Sequence, residues 1–558
     1  MNGAVWILSV AAIVNYLLFG TNFDNLSAEL KYDHDFAFSM KDYFINAGVL
    51  VLIGVVMFRI WRKRPVIIRM TYPVLIAAVL VMSVHNIAGI TTQIPRIKTQ
   101  LKQENGKKAT FALSRKGKNV IVLLLDRAIS SYVPYLFQER PELARQWEGF
   151  TWYPNTLSYG TRTNTGSPAL LGGYEYTPEE INKRSKEALV EKQNEALKVM
   201  PVLFRNAGYE VTVCDPPYAG YSWIPDLSIY DEYKNIRTFH AVNGEFGDQS
   251  DVMGIKQQVW KRNLFYYSIM KISPLFVQPG LYQDGSYSNP YMKDSVFRIV
   301  QKMLSSSVSV GIQKAFTDSY FALRSLPDMM KTTDEKKNTF LMMYNDTPHN
   351  VSMLQEPQYE PAMFVNNIEY DQKNISRFTV NGRMMLADTA YKMSHYQSNM
   401  AAFILLGKWF DYLREQGVYD NTRIIIVADH GWPLEQFKDM MFGKKENTVY
   451  NPEDVMAYNP LLMVKDFDSR KFTIDKRFMT NADTPLLSMD RLIKKPVNPF
   501  TKKPITNDAK YANEQHVFYT DFWGVEYNRG NTFLPGLWYA LKNQNIFDMK
   551  NWRKLGEY

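Results

Sequence analysis

The stretch Asn119–Asp126, NVIVLLLD, decides the fold because an unbroken run of apolar residues ends abruptly in a carboxylate. Such a run is typical of a parallel strand that is buried on both faces. The stretch Thr422–Gly431, TRIIIVADHG, has the same construction and delivers Asp429 and His430 at its end. The carboxyl ends of parallel strands open into the binding crevice of α/β proteins. The two stretches therefore predict a sheet that presents these polar residues at one edge.

Further strands and helices alternate along the chain. Apolar, β-branched stretches predict strands at Tyr209–Cys214 and Thr339–Tyr344, and helical patterns precede two of the strands, at Met200–Ala207 and Met400–Gln416. Alternation of strands with helices is typical of a parallel sheet covered by helices. The expected fold class is therefore α/β, with a mostly parallel sheet and helices on both faces.

The polar strand ends offer the ligands of a metal site. Asp429 and His430 supply one carboxylate oxygen and one imidazole nitrogen, a mixture that suits zinc or manganese better than calcium. The alternative for Asp429 is a capping role at the start of the next helix. The alternative for Asp126 is an ordinary strand-end carboxylate, which is common in α/β proteins.

The run Tyr159–Pro168, YGTRTNTGSP, supplies a candidate nucleophile, Thr163. A threonine hydroxyl is a weak nucleophile near neutral pH, and no base lies beside it in the sequence, so a bound cation that favours the alkoxide is the simplest activator. The run predicts a tight loop that leads into a helix at about Pro168, whose first amides face an incoming anion. Arg162 is a candidate for neutralising that anion, with a surface position as its alternative. The alternative for the whole run is a turn that only caps a helix.

Taken in order, Asp126, the Thr163 loop, a histidine in Thr347–Asn350 and the Asp429–Gly431 motif resemble the alkaline phosphatase and sulfatase superfamily. Within it, the chain looks like the membrane-anchored branch that includes lipoteichoic acid synthases and phosphoethanolamine transferases. The resemblance implies Thr163 as the nucleophile and His349 as the residue that holds the phosphoryl oxygens. It also implies one divalent metal ion, Mn or Zn, and four metal ligands: Asp126, Thr163, Asp429 and His430.

The chain departs from the pattern of these families at three places. The sulfatase signature Cys-x-Pro-x-Arg is absent, because Gly166 stands two residues before Pro168, and this disfavours formylglycine-dependent sulfate chemistry. Asp126 replaces the glutamate that is usual in the transferases. The stretch Trp432–Leu461 contains no histidine, whereas phosphoethanolamine transferases carry a His-Gly there. The expected donor therefore shifts toward phosphoglycerol or a similar head group.

The resemblance implies a two-step transfer through a phosphothreonine intermediate. A phospholipid is the expected donor, and an envelope glycan or lipid is the expected acceptor. Two alternatives remain open. One is a hydrolase of phosphate or sulfate esters on the same scaffold, and the other is a non-catalytic envelope protein whose site has degenerated.

The amino-terminal part predicts a membrane region over residues 1–95, with about three helices. Its apolar stretches are Val5–Phe19, Phe44–Met57 and Tyr72–Ile90. The loop between the second and third stretches is basic and the loop between the first and second is acidic, so the positive-inside rule places the large domain outside the cytoplasm. Cys214 is the only cysteine, which excludes an intramolecular disulfide. The expected location is a bacterial inner or plasma membrane.

The remaining chain divides into three parts by composition. Residues 96–118 form a basic linker, which is either a solvated tether or a segment attracted to anionic lipid heads. Residues 119–485 form the sulfatase-like catalytic domain, with an aromatic-rich insertion at about 246–337. Residues 486–558 form a small, β-rich or irregular carboxyl-terminal appendage. The net charge of +9 is spread widely, with neither zinc-finger spacing nor a clustered basic helix, so no nucleic-acid partner is expected.

Overall fold

The computed structural model describes residues 3–20, 38–67, 110–242, 255–282, 306–444 without 311 and 363, and 450–558, together with 70–91 except residues 72, 78, 82, 85, 86, 89 and 90. The chain divides into two compact units. The smaller consists of Met1–Lys108 with Gln257–Tyr287, and the larger consists of Ala109–Lys256 with Ser288–Tyr558. Part of the predicted insertion, Gln257–Tyr287, thus clusters with the amino-terminal region, and the predicted domain boundaries stay a prediction.

An eight-stranded sheet forms the centre of the larger unit. In spatial order its strands are β15 (Thr473–Ile474), β3 (Phe150–Trp152), β14 (Leu462–Lys465), β13 (Thr422–Val427), β2 (Asn119–Leu125), β9 (Thr339–Asn345), β5 (Glu210–Cys214) and β6 (Ile236–Phe239). Only β14 runs antiparallel to its neighbours, and every other adjacent pair in this sheet is parallel. The prediction of a mostly parallel α/β sheet is confirmed.

Smaller sheets and a set of helices surround this centre. The short sheets pair β1 (Phe111–Ser114) with β8 (Met330–Thr333), β4 (Thr156–Leu157) with β16 (Met479–Thr480), β7 (Val308–Val310) with β10 (Phe364–Asn366), β11 (Thr379–Val380) with β12 (Arg383–Met384), and β17 (Glu514–Tyr519) with β18 (Leu537–Lys542) and β19 (Trp552–Glu557). The helices of the larger unit are α3 (Val133–Glu139), α4 (Glu142–Gln146), α5 (Thr163–Gly172), α6 (Pro178–Lys183), α7 (Leu189–Asn206), α10 (Lys314–Arg324), α11 (Leu326–Met329), α12 (Ile368–Lys373), α13 (Ala390–Glu415) and α14 (Thr484–Met489). Strand β1 lies inside the stretch that was predicted to be a linker.

The central strands are buried along their whole length. Every residue of β2 and β13 is at most 1% exposed. Alternate residues of β2, beginning with Val120, join one apolar cluster with residues of α5 and α7. Because both faces of these strands are covered, Val120–Leu125 and Ile424–Val427 are continuously apolar and do not alternate with polar residues.

Truncation of this core is expected to destabilise the larger unit strongly. Ile425 lies in β13 and is fully buried, so Ile425→Ala should lower the free energy of unfolding by about 2–5 kcal/mol, from lost burial and the cavity that remains. Ile474, in the edge strand β15, is 55% exposed, and Ile474→Ala should change it by less than about 0.5 kcal/mol. Denaturant unfolding of the full chain, followed by tryptophan fluorescence, compares the two variants. Equal effects would contradict this assignment of the core.

The smaller unit contains α1 (Gly3–Phe19), α2 (Met40–Lys63), α8 (Ile255–Ile272) and α9 (Gln278–Tyr282). Within the described residues, α2 alone is long and apolar enough to cross a bilayer, whereas α1 is shorter. In and just after the third predicted stretch, the described residues between 73 and 91 are helical. The other residues of that stretch lie outside the described part of the chain. The basic linker also lies outside it as far as residue 109, as do residues 246–254 and 283–305 of the insertion.

Candidate active site

The polar residues that follow β2 and β13 lie beside each other at one edge of the sheet. The two strands are parallel and in register, with Leu124 opposite Val427, so the chain delivers Asp126 and Asp429 to neighbouring positions. The Nε2 atom of His430 lies 3.7 Å from Asp126 Oδ1 and 3.6 Å from Asp429 Oδ2. All three side chains are at most 1% exposed. The structure thus brings together three of the four residues predicted to bind metal.

The three side chains fit a divalent cation. One ligand atom from each lies within 4.8 Å of the others, and Asp126 Oδ1 and Asp429 Oδ2 are buried without a hydrogen-bond partner. His430 Nδ1 lies 2.6 Å from the carbonyl oxygen of Gly431. A proton on Nδ1 makes this hydrogen bond and leaves the Nε2 lone pair free, which is the usual arrangement of a metal-binding histidine.

The electrostatics of the cluster also favour a cation. Burial and the neighbouring Asp126 carboxylate raise the pKa of Asp429 well above its usual range, so two adjacent carboxylates are costly here without positive charge. Burial lowers the pKa of His430 to about 3, which keeps its imidazole neutral and able to bind metal. Carboxylate and imidazole ligands suit zinc or manganese.

Thr163, the fourth predicted ligand, is the first residue of α5. Its hydroxyl donates to Asp126 Oδ2 at 3.0 Å, and the residue is 5% exposed. The helix begins at Thr163, whereas the sequence predicted a start at about Pro168. The earlier start is stabilised by Thr165, whose hydroxyl accepts from the Arg162 amide.

A glycine allows α5 to lie against the end of β13. A Cβ atom added to Gly166 would lie 2.5 Å from the carbonyl oxygen of Asp429, too close for any other residue type without movement. The same carbonyl accepts hydrogen bonds from Ser158 at 2.5 Å and from Asn481 at 2.8 Å. These contacts hold α5 and the end of β13 together.

Tyr344, in β9, supports Asp126 from the side opposite β13. Its hydroxyl donates to Asp126 Oδ2 at 2.6 Å, so this oxygen accepts from both Tyr344 and Thr163. The other oxygen, Oδ1, is left for the cation. Such supporting hydrogen bonds orient a metal ligand and tune its affinity.

Loss of this support is expected to weaken the site without unfolding the protein. Tyr344→Phe keeps the ring in place and removes only the hydroxyl, so metal affinity should fall by about 10–100-fold. Tyr511 is 63% exposed, and Tyr511→Phe is the matched control, which should leave affinity unchanged. Titration of metal-free protein with Mn²⁺ or Zn²⁺ measures both. Wild-type affinity in Tyr344→Phe would contradict the supporting role.

Two arginines stack on Trp432, the residue that follows Gly431. The guanidinium carbon of Arg127 lies 3.6 Å from the centre of a Trp432 ring, and that of Arg162 lies 4.8 Å from it. The Nε atom of each arginine is buried without a hydrogen-bond partner. The site therefore carries two oriented cationic groups beside the three candidate metal ligands. Such an arrangement suits an anionic substrate.

His349, the predicted phosphoryl-binding residue, lies next to Arg127. Arg127 Nη2 lies 2.8 Å from His349 Nε2, so the arginine donates to a neutral imidazole. Burial, followed by the positive charge of Arg127, lowers the pKa of His349 to about 4. In this arrangement His349 orients Arg127, and its own contact with phosphoryl oxygens stays a prediction.

The carboxyl-terminal region also contributes to this site. Phe518, in β17, donates its backbone N–H to Tyr159 at 2.9 Å, and Asp521 pairs with Arg162 at 3.1 Å. Asn164 donates its side-chain amide to the backbone of Trp523. Residues of the predicted carboxyl-terminal appendage therefore contact the segment that carries Thr163.

Sequence reasoning missed Arg127, Tyr344, Trp432 and Asp521. Two of them had a usable signal, because Arg127 directly follows Asp126 and Trp432 directly follows Gly431. Tyr344 is one aromatic residue in an apolar strand, and Asp521 is far away along the chain. Neither has a local pattern that indicates its partner.

Comparisons with known proteins give one family-model match and a set of similar solved structures. Residues 118–483 match the family model described as Sulfatase. A comparison with curated proteins finds no match. Among solved structures, the chain is similar to a protein of the alkaline phosphatase superfamily from Vibrio parahaemolyticus, with 14% identity, a TM-score of 0.37, and coverage of 79% of this chain and 82% of that one.

Two further solved structures are similar over most of their length. The lipoteichoic acid synthase LtaP from Listeria monocytogenes is 12% identical with a TM-score of 0.39, over 78% of this chain and 90% of that one. The phosphonate monoester hydrolase of Agrobacterium radiobacter is 13% identical with a TM-score of 0.39, over 79% of this chain and 89% of that one.

Proposed function

The chain belongs to the sulfatase family, and from this premise we propose that it is a membrane-bound, metal-dependent transferase of phospholipid head groups that acts outside the cytoplasm. The observation that carries the proposal is the hydrogen bond from the Thr163 hydroxyl to Asp126. Asp126 is itself one of the three candidate metal ligands. A threonine at this position favours a phosphoryl ester intermediate, because no formylglycine precursor is present.

The residues of this chain have separate roles in the first step. A divalent cation at the Asp126, Asp429 and His430 ligands supplies the positive charge that favours the alkoxide form of a hydroxyl and neutralises phosphoryl oxygens. Asp126 Oδ2 accepts the hydrogen bond of the Thr163 hydroxyl and fixes its direction. Thr163 Oγ1 then attacks the phosphorus in line and loses its proton, a phosphothreonine ester forms, and the bond to the diacylglycerol oxygen breaks as that oxygen takes up a proton.

The second step releases the head group to an acceptor. An acceptor hydroxyl attacks the same phosphorus and loses its proton, its bond to phosphorus forms, and the bond to Thr163 Oγ1 breaks as Oγ1 takes a proton back. Arg127 and Arg162 neutralise the non-bridging oxygens in both steps, with Trp432 holding both guanidinium planes. His349 keeps Arg127 in place through its Nε2 atom.

The proposed donor is phosphatidylglycerol or a phospholipid with a similar head group. The proposed acceptor is an envelope glycan or lipid. Apolar helix α2 supports a location in the membrane, because 24 residues extend about 36 Å, enough to cross a bilayer. The proposed side of the membrane follows the charge difference between the short amino-terminal loops.

A single assay tests the proposal against hydrolysis. Full-length protein is reconstituted in vesicles that contain phosphatidylglycerol labelled in its head group, with Mn²⁺ or Zn²⁺ and with or without a glycan or glycolipid acceptor. The proposal predicts release of diacylglycerol and recovery of the label on the acceptor. Release of free phosphoglycerol at a rate that no acceptor changes would make the chain a hydrolase. No release with any phospholipid would contradict both reactions.

The paired arginines give a second test of substrate charge recognition. Arg127→Lys keeps the charge but loses the flat surface that stacks on Trp432, so kcat/KM should fall by about 10–100-fold. Arg470 forms a surface pair with Asp420 and is 68% exposed, so Arg470→Lys should leave kcat/KM unchanged. The vesicle assay measures both variants. Full activity in Arg127→Lys would show that the stacked geometry does not matter.

A further inference from the structure

Two buried asparagines interrupt the apolar helices of the smaller unit. Asn15 lies in α1 and Asn46 lies in α2, and each is 1% exposed. Amide side chains are costly to bury in an apolar setting unless their hydrogen bonds are made, so their partners are informative.

The partners are each other and a turn that follows α8. Asn46 Nδ2 donates to Asn15 Oδ1 at 2.7 Å, and Asn15 Nδ2 donates to the carbonyl oxygen of Ser273 at 2.7 Å. The N–H of Leu275 then donates to Asn46 Oδ1 at 3.0 Å. Each amide thus uses both its donor and its acceptor, and the four groups form a closed set of hydrogen bonds. We call this set the asparagine lock.

The asparagine lock holds a segment from the middle of the catalytic sequence. Residues 257–282 lie between the described residues 242 and 306 of the larger unit, yet they cluster with the amino-terminal helices. Gly20 lies close against the same segment, because a Cβ atom there would be 2.4 Å from the carbonyl oxygen of Lys271. The turn after α8 is therefore built against α1 and α2.

The opposite side of this segment is apolar and exposed. The exposed fractions are 55% for Leu264, 63% for Phe265, 44% for Ile272 and 72% for Phe276. The inner side of α8 is covered, since Tyr267 and Met270 pack with Tyr282 of α9. Exposed apolar side chains on the same element as an exposed lysine, Lys261, are the combination that an interfacial helix presents to a bilayer.

The positions of Asn15 and Asn46 along their helices give the distance of the asparagine lock from the helix ends, and so its depth in a bilayer that these helices enter. Asn15 lies four residues before the end of α1, and Asn46 lies six residues after the start of α2. At 1.5 Å per residue these positions are about 6 and 9 Å from the helix ends. Interfacial helices bury their apolar face by about the same depth, about 5–10 Å. The exposed side chains of α2, such as Leu52 at 64%, require the same lipid cover.

We propose that residues 264–276 lie in the lipid–water interface of the bilayer, held there by the asparagine lock, with acyl chains covering Leu264, Phe265, Ile272 and Phe276. This inference rests on the membrane location in the proposed function. The chain then returns to the membrane surface in the middle of the catalytic sequence. The face that it reaches is the one at which α1 ends and α2 begins.

Site-specific fluorescence tests the proposal. In full-length Cys214→Ala protein, single cysteines at Phe265, Phe276, Leu52 and Lys408 are labelled with NBD. The protein is reconstituted in vesicles of phosphatidylglycerol and phosphatidylethanolamine whose acyl chains carry a nitroxide near the head-group end in one sample and near the methyl end, at the depth of Leu52, in another. Labels at Phe265 and Phe276 should lose most of their fluorescence to the nitroxide and resist aqueous iodide. The label at Lys408, an exposed residue of α13, should keep its fluorescence in the presence of the nitroxide and lose it to aqueous iodide.

The Leu52 label separates failure of this inference from failure of the membrane location. Quenching at Leu52 without quenching at Phe265 and Phe276 overturns the interfacial segment and leaves the membrane location standing. No quenching at any position, including Leu52, overturns the membrane location and the segment together.

The lock is tested in the same vesicles. Asn15→Leu removes both hydrogen bonds of that amide, so quenching at Phe265 should fall toward the value at Lys408. Leu17 is an exposed residue of the same helix, and Leu17→Ala should leave the quenching unchanged. Full quenching at Phe265 in Asn15→Leu would show that the asparagines do not hold the segment.

Discussion

Thr163→Val abolishes head-group transfer, with kcat/KM expected to fall by at least about 10⁴-fold. Valine has nearly the shape of threonine, so the buried position at the start of α5 stays filled, and only the hydroxyl that bonds to Asp126 is lost. Without it no phosphothreonine ester can form. The vesicle assay with labelled phosphatidylglycerol measures the loss.

Two companion variants keep this result interpretable. Thr163→Ser restores a hydroxyl at the same place and should recover measurable transfer. Thr165→Ser changes a neighbouring threonine of α5 but keeps the hydroxyl that contacts Arg162, so it should behave like the wild type. A Thr163→Val protein that retains a large part of the wild-type rate would show that Thr163 is not the nucleophile.

The sheet and the three candidate metal ligands could be predicted from the sequence because each is marked by a local sequence pattern. Strands β2 and β13 are buried on both faces, so each is an apolar run whose end is marked by Asp126 or by Asp429 and His430. Parallel pairing then places the strand ends together, whatever the rest of the chain does. The predicted ligands therefore needed no knowledge of distant contacts.

The predicted start of α5 was wrong for a physical reason. Proline is favoured in the first turn of a helix, which pointed to Pro168, but α5 begins five residues earlier at Thr163. The close approach of Gly166 to the Asp429 carbonyl sets the position of the helix. That contact joins residues far apart in sequence, so no local pattern reveals it.

The supporting residues were missed for the same reason. Tyr344 acts through a hydroxyl that reaches across the sheet to Asp126, and Asp521 pairs with Arg162 from the carboxyl-terminal region. The asparagine lock joins α1 and α2 to the turn after α8, which lies more than 200 residues further along the chain. Contacts of this kind depend on the direction of side chains in the folded chain, which periodicity and composition do not encode.

Removal of the metal is expected to stop the reaction as completely as loss of Thr163. Purified wild-type protein should hold about one equivalent of Mn or Zn, and chelation should reduce transfer to the level of Thr163→Val. Asp429→Asn removes one negative charge from a carboxylate whose Oδ2 atom is buried without a hydrogen-bond partner. The variant should therefore bind no metal at micromolar concentration. Elemental analysis and the vesicle assay measure both effects.

Restoration and a surface control complete this test. Added Mn²⁺ or Zn²⁺ should restore transfer in chelated wild-type protein but not in Asp429→Asn. Asp420 pairs with Arg470 and is 46% exposed, so Asp420→Asn should keep its metal and its activity. Chelated protein that is free of metal and still transfers head groups would contradict the proposed chemistry.

The most direct test of the metal-centred nucleophile is anomalous diffraction from crystals of the protein grown with Mn²⁺ or Zn²⁺. The account predicts one strong anomalous peak within about 2.0–2.3 Å of ligand atoms from Asp126, Asp429 and His430, with Thr163 Oγ1 in the same coordination sphere. A bound ion elsewhere, or an ion at these three ligands with Thr163 turned away from it, would contradict the account.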